Sequence, residues 1–230
     1  MEKKKQTVLI TGGTGGIGSA IAKKLDSSEF YILLTDLQNK NSISADFFPC
    51  DLRKPEEIQQ LYDWIIKNYE IPKILILNAG LGIKEKISEG DPEKWQKVFD
   101  VNLMGTLRCL RAFLPEILAN KNGHIIFISS VAANQTFEYG GIYSASKTAL
   151  EIIAETLRIE NISNLQVTTI SSGAVNTDFF KNQLAGFSEK DYSEEMLNPE
   201  EIANTVYWCI KNTENQQINK IVVRPKKQKF

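Results

Sequence analysis

Thr11-Gly12-Gly13-Thr14-Gly15-Gly16-Ile17-Gly18 joins two stretches of different periodicity, and the reading of this junction decides the fold. Before it, residues 6–11 contain Val8-Leu9-Ile10, a short apolar run of strand character; after it, Ser19-Ala20-Ile21-Ala22-Lys23-Lys24-Leu25 has helical spacing. Glycines at such a junction permit a tight turn through unusual φ values. Their missing Cβ atoms also let backbone N–H groups and a helix N-terminus approach a pyrophosphate. The second strand closes on Leu34-Thr35-Asp36, an acid 18 residues beyond Gly18, where a carboxylate can accept hydrogen bonds from an adenosine ribose. Gly12, Thr14, Gly15, Gly16, Ile17, Gly18 and Asp36 are therefore the first candidates for binding a dinucleotide.

The same alternation recurs along the chain. Apolar, β-branched runs at 6–11, 30–35, 46–48, 73–77, 123–129, 164–170 and 218–223 alternate with helical patterns at 16–27, 55–69, 92–119, 142–161 and 199–212. Asp91-Pro92 and Asn198-Pro199 read as helix starts, a capping side chain followed by proline at the first helical position. Ile74-Leu75-Ile76-Leu77 and Ile125-Ile126-Phe127-Ile128 are apolar at consecutive positions, as in a parallel sheet covered by helices on both faces. The pattern predicts an α/β fold with a doubly wound, seven-stranded parallel sheet, built as one domain over residues 1–230 without linker or internal repeat.

Composition narrows the functional classes. Lys and Arg total 27 against 28 Asp and Glu, a net charge of -1, so no bulk basic field is available for nucleic acid or an anionic membrane. Cys50, Cys109 and Cys209 lie far apart and read as reduced core residues. His124, the single histidine, sits in an apolar run and offers neither a metal cluster nor a catalytic base. Val8-Leu9-Ile10 is too short for a signal peptide or a membrane span, and a cytoplasmic location is expected. Arg224 to Phe230 forms a small basic tail, read as a solvated end.

Tyr143-Ser144-Ala145-Ser146-Lys147 opens a predicted helix, and i, i+4 spacing places the phenol and the ammonium on one face. A free tyrosine has a pKa of ~10, so ionising it at pH 7 costs roughly 4 kcal/mol, which an adjacent Lys+ is expected to reduce. Such a tyrosine can pass a proton at neutral pH. Asp36 also bears on the dinucleotide: at ~5 Å and an effective dielectric near 20, each unit-charge repulsion with a 2′-phosphate costs about 3 kcal/mol. No Lys or Arg lies within 11–18 or directly after Asp36 to offset it, so NAD(H) is favoured and NADP(H) is the alternative.

Taken together, Thr11-Gly12-x-x-x-Gly16-x-Gly18, Asn78-Ala79-Gly80, Asn102, Ser130 and Tyr143-x-x-x-Lys147 resemble the short-chain dehydrogenase/reductase family over nearly the whole chain. The resemblance implies a Rossmann-like fold and hydride transfer between NAD(P)(H) and a small carbonyl compound or alcohol. It implies that Ser130 hydrogen-bonds the substrate oxygen and Tyr143 is the acid or base. Lys147 is implied to lower the Tyr143 pKa and hold the nicotinamide ribose, and Asn102 to hold a water leading from Lys147 to solvent. Asp51 and Leu52 are implied as adenine contacts, and Asn78, Ala79 and Gly80 as the lining of the adenine-ribose side. Val175 and Thr177 are implied as contacts of the nicotinamide carboxamide, and pairing through the long helices as a homodimer or homotetramer. Ser129 competes with Ser130, since a strand alternates faces.

Three departures accompany the match. Ser172 stands where the family usually has proline, which is expected to loosen the loop that follows; Leu77 stands where an asparagine often precedes Asn78. The run Ile221-Val222-Val223-Arg224-Pro225 is more similar to a branch acting on small hydroxy acids or diketones, many members of which use NADP. Residues 178–198, with Phe179, Phe180, Leu184, Phe187 and Met196, are expected to form a mobile substrate lid or a plain surface helix, and Phe137 and Tyr139 to add aromatic walls. A silent dinucleotide-binding regulator or scaffold, and an epimerase or dehydratase, are the alternative readings.

Overall fold

The computed structural model describes residues 5–25, 28–40, 43–186, 196–213 and 215–228. Seven strands, β1 (Gln6–Thr11), β2 (Phe30–Asp36), β3 (Asp46–Pro49), β4 (Ile74–Leu77), β5 (Gly123–Ser130), β6 (Leu165–Ser172) and β7 (Lys220–Val223), form one sheet in the order β3-β2-β1-β4-β5-β6-β7. Every pairing is parallel. All four side chains of β4 and all eight residues of β5 are buried, as their unbroken apolar runs require.

Among the described residues the α-helices are α1 (Gly16–Lys24), α2 (Pro55–Asn68), α3 (Pro92–Phe99), α4 (Thr106–Asn120), α5 (Gly141–Glu160) and α6 (Pro199–Lys211). Alternate residues of the strands feed two cores. Val8, Ile10, Ile76 and Ile126 pack with Ile21 of α1 and Ile202 and Val206 of α6. Leu9, Leu75, Ile125 and Phe127 pack with Leu61 of α2, Phe113 of α4 and Leu150 of α5. Both expected helix starts are present: the Asp91 side chain accepts from Glu93 N–H at 3.0 Å, and Glu201 Oε2 accepts from Asn198 N–H at 2.8 Å.

The structure departs from the sequence reading in three places. The helix expected over 92–119 is interrupted at Asp100–Gly105 by a π-helical stretch, which inserts residues into the i→i+4 ladder without breaking the rod. β6 continues through Ser171 and Ser172, which pair with Ser129 and Ser130 on one side and Val222 and Val223 on the other. Ser172 therefore lies inside the ladder, and the loop begins at Gly173. β7 starts only at Lys220, and ahead of it the Ile218 carbonyl accepts from the Thr168 hydroxyl at 2.7 Å. The three cysteines are free and buried. No helix among the described residues is long and apolar enough to cross a membrane.

Candidate active site

Strand order reverses between β1 and β4, so a crevice opens beyond their carboxyl ends. The glycine turn lies there. Gly12 has φ +60 and its Cβ position is only 2.9 Å from Ala79 Cα, so both its conformation and its neighbour demand glycine. Gly18, buried in α1, faces the Gly12 carbonyl. α1 starts after Gly15 with no side-chain cap and no acid in its first turn, leaving the N–H groups at Gly16, Ile17 and their neighbours as the natural partners of an anion. The cradle therefore fits a dinucleotide pyrophosphate.

Neighbouring strand ends hold this turn in shape. Asn78 Nδ2 donates to Thr11 O at 3.0 Å and Gly12 O at 2.9 Å, while Thr11 Oγ1 accepts from Asn78 N–H and Ala79 N–H. On the β2 side, Asp36 Oδ2 accepts from Thr14 Oγ1 at 2.7 Å and Thr14 N–H at 3.3 Å, and Oδ1 accepts from Leu37 N–H at 2.8 Å. Asp36 is half-buried at the end of its strand. After β3, Asp51 is engaged with Arg53, which donates to both carboxylate oxygens, and this hydrogen bonding holds the Asp51 carboxyl below its ordinary range. Leu52 is buried beside Gly105.

Four further residues meet at the ends of β4 and β5. Ser130, the last residue of β5, hydrogen-bonds Tyr143 and accepts from Ala132 N–H at 3.2 Å. Ser129, one residue earlier in the strand, is buried on the other face. Lys147 is 4% exposed, donates to Ile128 O at 3.1 Å and stands 6.0 Å from the Tyr143 ring centroid. Gly80 lies beside it, its Cβ position 3.4 Å from Lys147 Nζ and 3.6 Å from Asn102 Oδ1. Asn102, in the π-helical stretch, is fully buried: Oδ1 accepts from Leu81 N–H at 2.7 Å, and Nδ2 donates to Leu81 O and Ser146 Oγ. Its side chain thus ties the loop after β4 to α5.

Burial dominates the titration of the pair. It pushes Tyr143 up to about 12, against the opposing hydrogen bond from Ser130. The same effect pushes Lys147 down to about 8, opposed by the charge of Glu151. Withdrawal from water, which disfavours the charged form of each group, is thus the leading influence on both members of the pair.

The loop after β6 closes the far side. Val175 bridges Leu197, and Thr177 reaches across to the glycine turn, its Cγ2 only 2.3 Å from a Cβ position at Gly16. Residues 178–186 form turns rather than the alternative surface helix and are docked, with Leu184 N–H donating to Gly82 O at 3.0 Å and Lys84 N–H to Ala185 O at 3.1 Å. Phe179 sits over the site, its ring 5.9 Å from that of Tyr143. Phe137 and Tyr139 line a depression at the start of α5 together with Ile87 and Gly141. Of the rest of the expected lid, 187–195 including Phe187 lie outside the described residues, and 196–198 lead into α6.

Sequence reasoning missed Glu151. It is one helical turn past Lys147, and burial raises its carboxyl pKa. Hydrogen bonds from Lys220 and Ser171 outweigh that and hold it below its ordinary range. The i, i+4, i+8 series Tyr143, Lys147, Glu151 was a visible signal for it.

The sequence profile described as short chain dehydrogenase matches residues 6–186. An uncharacterised oxidoreductase of Listeria monocytogenes is 29% identical over 246 residues, covering 99% of this chain and 99% of the relative. One of Staphylococcus aureus is 31% identical over 227 residues, covering 94% and 96%. Among solved structures, the closed form of serine dehydrogenase complexed with NADP+ has a TM-score of 0.89 at 26% identity, covering 98% of this chain and 97% of that one. The alcohol dehydrogenase of the archaeon Thermococcus sibiricus complexed with 5-hydroxy-NADP has a TM-score of 0.85 at 25% identity, covering 99% of both chains.

Proposed function

Because this chain belongs to the short-chain dehydrogenase family and is an oxidoreductase of it, we propose that it interconverts a carbonyl and a secondary alcohol on a small substrate, with Tyr143 passing the proton. One observation carries this reading: Ser130, Tyr143 and Lys147 converge beside the crevice at the sheet's switch point. When bound, the nicotinamide supplies or accepts the hydride. Ser130 orients the substrate oxygen toward Tyr143, whose phenol is fully protonated at pH 7 and so ready to donate in the reducing direction. Lys147 provides the positive charge that supports the phenolate left behind, and the Phe179 ring keeps water from it. Asn102, fastened between Leu81 and Ser146, fixes α5 so that this spacing is kept.

The glycine turn would hold the pyrophosphate, with Asp36 placed to accept from the adenosine ribose hydroxyls, Asp51 and Leu52 to lie beside the adenine and Asn78 to Gly80 to line the inner wall. Val175 and Thr177 face the carboxamide. Asp36 favours NAD(H), by the repulsion it exerts on a 2′-phosphate. An NADP(H)-dependent reductase is the second reading, favoured by the NADP species in both structural relatives. Two copies pair through α5 and through α4 with the π-helical stretch that precedes it, where Met104 in that stretch and Ile152 and Ile159 in α5 are 39%, 62% and 61% exposed. Three free thiols suit a reducing, cytoplasmic setting.

The deciding experiment follows NADH and NADPH consumption by the purified protein across a panel of small ketones, aldehydes and keto acids, with Tyr143→Phe in parallel. Turnover in the wild type that vanishes in the variant supports the reading. A protein that binds dinucleotide yet turns over nothing in the panel points to the silent binder, and equal turnover in both proteins overturns the role of Tyr143.

A further inference from the structure

The segment after β7 turns back onto the loop that follows β6. Gln228 N–H donates to Pro225 O at 3.1 Å, closing a turn, and Arg224 Nη2 donates to Gln228 O at 2.8 Å, fixing its end. Pro225 is buried although Arg224, Lys226 and Lys227 around it are exposed. The sequence reading of this segment as a solvated end is therefore corrected through Gln228. The Gln228 side chain reaches Ala174, where its Oε1 accepts the backbone N–H at 3.2 Å.

The fit at Gly173 carries the same message independently. A Cβ there would stand 2.1 Å from Gln228 Oε1, 2.7 Å from Pro225 Cδ and 3.2 Å from Arg224 Cα. Only a residue without a side chain lets the turn seat where it does. Gly173 N–H in turn donates to Val223 O at 2.7 Å, carrying the β6–β7 ladder one residue further.

Ala174 is thus held from two directions. Its N–H goes to Gln228, and its carbonyl accepts from Leu197 N–H at 2.9 Å. The next residues run from the Val175 bridge to Thr177, whose side chain abuts Gly16. Gln228 therefore anchors one end of a short stretch whose other end meets the glycine turn.

From this geometry we infer that Gln228 is a positioning residue for the dinucleotide: by pinning Ala174 it sets the backbone of 174–177 against Gly16. The inference rests on reading the crevice as a dinucleotide site. What the position needs is a side-chain acceptor of the right length. Glutamate supplies one, while leucine has the volume without the acceptor.

The test titrates the full chain calorimetrically with NADH and NADPH as wild type, Gln228→Leu and Gln228→Glu. Amide hydrogen exchange at Ala174 is followed in the ligand-free proteins, and each is melted thermally. Loss of one backbone hydrogen bond predicts dinucleotide binding weakened about tenfold in Gln228→Leu, with faster exchange at Ala174. Gln228→Glu retains both within about twofold, and the melting temperatures stay close together. If Gln228→Leu fails to fold, the smaller Gln228→Ala answers the same question.

Dinucleotide binding and Ala174 exchange unchanged in Gln228→Leu overturn the inference. So does weakened binding that follows the melting temperature through all variants, Gln228→Glu included, since that is a merely structural role. A wild type that binds neither dinucleotide overturns the reading of the crevice, and this inference with it. Wild-type binding matched by Gln228→Leu removes the inference alone.

Discussion

Tyr143 and Lys147 lose water together, and each is driven toward its neutral form. On the role proposed for Tyr143, removing the phenol oxygen removes the proton donor and little else. Tyr143→Phe is expected to lower kcat by about 10²–10⁴ while leaving NADH affinity within a few-fold, which single-turnover kinetics and calorimetry read separately. Lys147, held to about 8, carries its charge below that pH and loses it above. The kcat/KM profile for carbonyl reduction is expected to fall on an alkaline limb beginning near pH 8, and a flat profile through pH 9 contradicts the assignment.

His124 behaves in the opposite pH range. Its Nε2 lies 2.8 Å from Thr168 Oγ1, and because that hydroxyl donates to Ile218 O, the ring must be the donor. Burial lowers its pKa to about 4. As pH falls below the ordinary value near 6.5, the unfolded chain takes up the proton first, so stability is lost between there and about pH 4. From pH 7 to pH 5 this loss is about 2 kcal/mol. Urea denaturation of the wild type and His124→Asn at the two pH values should show it in the wild type alone. Ser129 and Ser130 show what a residue-level reading can achieve: strand alternation guaranteed that only one of them faced Tyr143, and spacing named Ser130. The Glu151–Lys220 pair, drawn from α5 and β7, joins residues 69 apart and was beyond any local pattern.

At the scale of elements, the sheet was legible because β4 and the middle of β5, Ile125 to Ile128, are buried on both faces and are apolar at consecutive positions. The π-helical stretch at Asp100–Gly105 was not, since a few inserted backbone steps leave the run of apolar residues between 92 and 119 unbroken. The segment 178–186 was legible as a cover but not in its contacts. Two backbone hydrogen bonds to the loop after β4 and the Phe179 ring over Tyr143 hold it down. Phe179→Ala is expected to raise KM for the carbonyl substrate about tenfold with a smaller change in kcat, by removing apolar contact while leaving the proton-transfer groups in place. Steady-state kinetics with saturating dinucleotide measures it.

Over the whole molecule, the two cores on either face of the sheet share β1 and β4, and the crevice lies where those strands end. A ligand bound there bridges elements that both cores support, so its binding energy is added to the stability of the entire fold. NADH at a hundred times its Kd should add about 2.7 kcal/mol, a rise of about 5–10 °C in melting temperature for a chain of this length. NADPH at the same concentration should raise it less. A larger rise with NADPH overturns the preference assigned to Asp36.

Beside the ribose role proposed for it, Asp36 has a second duty, because its carboxylate also latches Thr14. Anyone seeking to re-engineer the coenzyme preference therefore inherits an epistatic constraint. Trimming the side chain to alanine discards the latch with the charge and deforms the site it was meant to retune. Asparagine, isosteric and still able to accept from Thr14, is the starting point from which an added cation could be selected.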